Sequence, residues 1–117
     1  MTNDYTHFVS SIFKPGQAIV DSMDATKAEL LHAAVGVSGE AGELLDAIKK
    51  HVIYGKPLDY ANVVEESGDI LYYLVALLSL AAPELTLEDV MEANRAKLSK
   101  RYPDGYSDKN AIDRKDK

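Results

Sequence analysis

Two short motifs constrain this chain more than any other feature: Gly39-Glu40-Ala41-Gly42-Glu43 and, twenty-odd residues later, Glu66-Ser67-Gly68-Asp69. Each places two carboxylates three residues apart, a spacing that on an α-helix projects both from one face about one turn apart. The second motif runs directly into the apolar stretch 70–82, so the helix that carries it must pack against something. Four carboxylates on two helices that pack together form a site in need of cations.

The rest of the chain reads as helix throughout. Tyr5, Phe8, Val9, Ile12 and Phe13 fall at i, i+3, i+4, i+7 and i+8, an amphipathic stripe over about 4–14 that Pro15-Gly16 interrupts. Residues 17–23 read as a connector. Asp24 then offers an N-cap oxygen to a long helix over 25–53, on which Ala33, Gly36, Glu40, Glu43 and Ala47 lie close to one line. Gly36, Gly39 and Gly42 each lower helix propensity by up to about 1 kcal/mol relative to Ala, which implies that another backbone or a ligand comes close. Tyr54-Gly55-Lys56-Pro57 forms a turn, and Asp59 caps a helix over 59–82 whose stripe is Asn62, Glu66, Asp69, Ile70, Tyr73, Leu77 and Leu80. After Pro83, Thr86-Leu87-Glu88-Asp89 has the form of a capping box and opens a helix over 87–101. The polar tail, 102–117, has only Ala111 and Ile112 as anchors and is expected to be mobile unless ligand or partner holds it. The expectation is one all-α domain over 1–117, a four-helix bundle with a short lead helix.

Composition removes several function classes. A formal charge of -6 argues against a preformed basic surface for a nucleic acid polymer. The absence of cysteine removes disulfides, thiolate metal sites and thiol nucleophiles. The stretch 70–82 is shorter than the roughly 20 apolar residues that span a bilayer, and the first residues lack the pattern of a signal peptide. A cytoplasmic protein without membrane contact is expected.

A lone Glu on a helix is ordinarily solvent-exposed. Four in two pairs on core-facing stripes differ, because an unpaired buried carboxylate costs several kcal/mol and like neighbours raise one another's pKa. A hard divalent cation removes both penalties, and all-oxygen ligands suit Mg²⁺, Mn²⁺ or Ca²⁺. A di-iron site would want Glu-x-x-His pairs, and neither pair supplies the His. Glu65 competes with Glu66 for the inward position. Glu66 is the better placed, between Asn62 and Tyr73 on the apolar stripe, with Glu65 rotated about 100° away.

In order and context, these motifs resemble the E-x-x-E and E-x-x-D pattern of the MazG-like all-α nucleoside triphosphate pyrophosphohydrolases. The likeness runs from about Leu31 to Tyr106 and includes Ala93-Asn94-Arg95 and Arg101-Tyr102-Pro103. The tail, Tyr102-Pro103-Asp104-Gly105-Tyr106-Ser107 with Arg114, is most similar to short single-domain phage and bacterial members. The resemblance implies hydrolysis of a (d)NTP to (d)NMP and pyrophosphate, with Mg²⁺ or Mn²⁺ held by Glu40, Glu43, Glu66 and Asp69 and a first-motif Glu, Glu40 or Glu43, handling the attacking water. It also raises Asn94 and Lys97 as phosphate contacts above the alternative of a solvated helix end, and Arg101 is a further candidate for the phosphates on the same helix end. Tyr73 and Tyr102 are further candidates for touching the nucleotide, against packing and tail-anchoring roles; Lys100 stays with solvent, and His32 reads as a packing residue. A homodimer or homotetramer is implied, both by the apolar surface of four short helices and by the family. Two alternatives stand: a non-catalytic metal-binding helical interaction module and, within the fold, a phosphoribosyl-ATP pyrophosphohydrolase.

Overall fold

The computed structural model describes residues 3–114 and 116, and among them it contains six helices and no named strand: α1 (Asn3–Ile12), α2 (Gly16–Ser22), α3 (Ala25–Val52), α4 (Tyr60–Ala81), α5 (Leu87–Arg101) and α6 (Asp108–Asp113). The all-α class follows, and the starts of the three long helices are set by side-chain caps. Asp24 accepts from the Lys27 N–H at 2.8 Å and Asp59 from the Asn62 N–H at 3.1 Å. At α5 the box is reciprocal: Thr86 Oγ1 accepts from the Asp89 N–H at 3.1 Å, and Asp89 Oδ2 accepts from the Thr86 N–H at 3.0 Å. Each cap satisfies an amide that the first turn leaves without a partner.

Two helices go beyond the expectation. Pro15-Gly16, read as a stop, begins α2. The extended Pro15 backbone, φ -62° and ψ 136°, suits the position before a first turn. In the tail, Ser107 accepts from the Asn110 N–H and caps α6, which Arg114 ends in the left-handed conformation at φ 51°. The segment therefore has local structure where a plain polar tail was expected.

Packing is concentrated in one pair of helices. α3 and α4 share the extensive interface, and the half-buried residues of α4 include the whole expected stripe from Asn62 to Leu80. On α3 the covered line is Ala33, Gly36, Val37, Glu40, Leu44 and Ala47, with Glu43 exposed at its edge. The expected close approach is found at Gly36, where the Tyr73 ring occupies the space a Cβ would need. Nothing lies within 4 Å of a Cβ at Gly39 or Gly42, so at those two positions no other backbone of the same chain comes close. Gly36→Ala should accordingly lower stability by roughly 1–3 kcal/mol in chemical denaturation, the cost of overpacking. Gly39→Ala should raise it by up to about 1 kcal/mol through propensity. An equal loss at both positions would place a second surface over Gly39.

Among the described residues only Ala33 and Ala47 are buried, and many large apolar side chains are exposed, from Tyr5, Phe8 and Ile12 on α1 and Phe13 just after it to Tyr72 on α4 and Met91 on α5. The accessible surface is 9302 Å², against about 6,300 Å² for a compact monomer of this mass. The radius of gyration is 20.0 Å, against about 13 Å for a compact chain of this length. No helix among the described residues is long and apolar enough to cross a membrane.

Candidate metal centre

The α3–α4 interface brings the two acidic motifs together. One carboxylate oxygen each from Glu40, Glu66 and Asp69 lies within 4.8 Å of the others, and all three residues are half-buried. Glu65 is exposed. Glu66 Oε2 is buried without a hydrogen-bond partner among the described residues. That is an unfavourable place for a carboxylate oxygen unless a proton or a cation joins it.

The electrostatics agree. The Glu66 carboxyl is pushed up to about 7, first by a hydrogen bond to Glu40 that only a protonated carboxyl can make, then by burial, then by the charges of Glu40, Asp69 and Glu43. Glu43 thus acts on the group through its charge, although its oxygens stand outside the set of three. Nearby, Asp46 and Lys50 pair at 3.0 Å. Each holds the other charged, and Glu43 and Asp59 add to the upward shift of Lys50.

The remaining candidates are dispersed. Tyr73 belongs to the α3–α4 packing, against Gly36 and edge-on to His32 and Tyr72 at centroid distances of 5.9 and 5.1 Å. Asn94 and Tyr102 line a groove of about 780 Å³ between α4 and α5, with Leu74, Leu87, Val90, Met91 and Leu98 among its walls. Leu74 is five residues beyond Asp69, which turns it about 140° around α4 from that carboxylate. Within one chain the α5 groove shares no lining residue with the acidic centre. Lys97 is exposed. Arg101 is already engaged: its Nε donates to Asp116 Oδ1 at 2.6 Å and its Nη2 to Oδ2 at 2.9 Å. Sequence reasoning left Asp116 in an undifferentiated tail, where no periodicity or motif marks it.

A carboxylate cluster of this kind has many uses, and the comparison with known proteins narrows them. No curated protein and no solved structure matches the chain. The model of the MazG nucleotide pyrophosphohydrolase domain matches residues 29–106, more than half of the sequence and a span that includes both acidic motifs, α4 and all of α5. With those motifs meeting across two packed helices, the chain belongs to the MazG nucleotide pyrophosphohydrolase domain family.

Proposed function

We propose that the protein is a Mg²⁺-dependent nucleoside triphosphate pyrophosphohydrolase that converts a (d)NTP to the (d)NMP and pyrophosphate. The observation that carries this reading is the convergence of Glu40, Glu66 and Asp69 oxygens within 4.8 Å around an orphaned, buried Glu66 Oε2. Three hard oxygen donors on two packed helices are the ligand type that Mg²⁺ or Mn²⁺ takes. When bound, the ion supplies neutralising charge to the triphosphate and lowers the pKa of an attacking water.

The chain's own residues divide the remaining work. Glu40, Glu66 and Asp69 hold the cation between α3 and α4. Glu43, exposed on the next turn of α3 and outside the set of three, keeps a carboxylate free to orient the water and take its proton. Hydrolysis adds that water across one phosphoanhydride bond, which leaves monophosphate and pyrophosphate. Asn94, Lys97, Arg101 and Tyr102 bind phosphate and sugar. Because the α5 groove that Asn94 and Tyr102 line shares no residue with the acids of its own chain, α5 serves the centre of a second copy.

A homodimer or a dimer of dimers supplies that copy and covers the apolar stripe of α1 and the groove beside α5. The surface in excess of a compact monomer is about 3,000 Å² per chain, or about 6,000 Å² for a pair, as large as the most extensive obligate interfaces bury in total. Sedimentation at micromolar concentration should show a dimer or tetramer and no major monomer; a mainly monomeric particle would defeat the shared-site arrangement.

The reaction is tested by pyrophosphate release from a panel of canonical and modified NTPs and dNTPs with Mg²⁺, with Mn²⁺ and with EDTA. Metal-dependent turnover of at least one member establishes the activity and names the substrate. No turnover, with metal still raising the melting temperature, would leave the centre a cation site without this chemistry.

A further inference from the structure

The Arg101–Asp116 pair differs from the other ion pairs among the described residues. Those at Asp46–Lys50, Glu92–Arg95 and Lys109–Asp113 are three or four residues apart and well exposed, whereas this one spans 15 residues, is doubly hydrogen-bonded, and has side chains only 15% and 1% exposed. The tail is built to deliver it. Ser107 starts α6, Arg114 ends it in a left-handed turn, and Asp116 follows two residues later. Tyr102 lies against the guanidinium at 5.8 Å and against Tyr106 at 5.3 Å, and Tyr106 in turn donates to Asp108 at 2.7 Å. The fork that a phosphate would use is thus filled by a carboxylate of matching geometry from the same chain.

We propose that the Arg101 fork is an oxyanion site which Asp116 occupies in the unliganded protein, and that the substrate's phosphates displace Asp116 and release the tail when they bind. This rests on the assignment of Arg101 to the nucleotide phosphates. A tethered carboxylate competes at an effective concentration of about millimolar. A single weak anion therefore displaces it poorly, and a triphosphate anchored at the same time through cation and nucleoside displaces it well. The tail becomes an internal competitor that keeps free phosphate out of the site and sets the apparent substrate affinity.

Two measurements test this. In the full-length wild-type protein without divalent metal, the Arg101 Nε–H resonance and the Asp116 amide are followed while inorganic pyrophosphate, inorganic phosphate or a non-hydrolysable triphosphate analogue is added. Displacement gives a saturable shift of the Arg101 signal together with sharpening of the Asp116 amide, strongest for the analogue and weakest for phosphate. In the second, Asp116→Asn should lower KM for the best nucleotide about tenfold, as expected if about one tail in ten is open in the wild type, with kcat changing less. An Arg101 signal unmoved at about 10 mM pyrophosphate, well above the tether's effective concentration, overturns the proposal. So does an Asp116→Asn variant whose KM is unchanged or higher. If no nucleotide is hydrolysed at all, the reaction is wrong, and the metal-free titration alone decides whether the fork exchanges its carboxylate for a phosphate.

Discussion

Glu43→Gln and Glu66→Gln should both abolish most of the pyrophosphohydrolase activity, yet separate cleanly in metal binding. Glu43 stands outside the three converging oxygens and acts on Glu66 through its charge. Its neutral replacement should lower kcat by about 10²–10⁴, the usual contribution of a positioned proton acceptor, while Mg²⁺ still raises the melting temperature. Glu66 contributes the buried, unpartnered oxygen. Its amide replacement should lose the metal-induced rise in melting temperature along with the activity. It should also make the metal-free protein more stable than wild type in EDTA at neutral pH, because one of several crowded carboxylates is gone. Calorimetry with and without Mg²⁺ beside initial-rate kinetics reads all of this. A Glu43→Gln protein that no longer binds metal would make Glu43 a ligand and not the base, and a Glu66→Gln protein that binds metal normally would remove Glu66 from the centre.

The second large effect is a pH dependence that reverses on adding cation. The Glu66 carboxyl titrates near 7 in the folded chain, against an ordinary value of 4.5. Between those values the folded state binds more protons than the unfolded state. Stability in EDTA is therefore highest at the acid end of this window, falls as pH rises through it, and levels off above about 7. Cation binding requires the ionised carboxylate, so Mg²⁺ affinity should increase about tenfold per pH unit below 7 for the one proton expelled, and flatten above. Asp116, held down to about 2 by Arg101, contributes its pH dependence well below this window and does not confuse the reading. Melting curves at pH 5 and pH 8, in EDTA and in saturating Mg²⁺, test the sign directly. A metal-free protein that becomes more stable towards pH 8 would show that Glu66 is ionised there at no cost.

Much of the fold was legible because helix starts are local chemistry. Asp24, Asp59 and Thr86 declare their helices within three residues, and α3, α4 and α5 begin and end within about a residue of where those signals place them. α2 and α6 were not legible: at 7 and 6 residues they are too short to show a period, and each depends on a single starting residue. The site divides in the same way. An i, i+3 spacing says that Glu40 and Glu43 share a side of α3, but not which of them faces α4. The packed line runs from Glu40 to Leu44, a step of four, and leaves Glu43 on the rim. On α4 the alternation of apolar residues was enough to distinguish Glu66 from Glu65. Long-range partners such as Asp116 for Arg101 leave no trace in spacing, because the tail that joins them is held by its end.

Two buried alanines among the described residues are a small core for a chain of 117 residues. Ordering a backbone of that length costs on the order of 1–2 kcal/mol per residue, and the interior of a single copy does not offset it. In the proposed dimer or dimer of dimers, folding and assembly would be one reaction, whose midpoint depends on how many copies are present. Dilution would then act as a denaturant, and the amount of protein in the cell would become one of the variables that set whether the acidic centre meets the α5 residues that serve it.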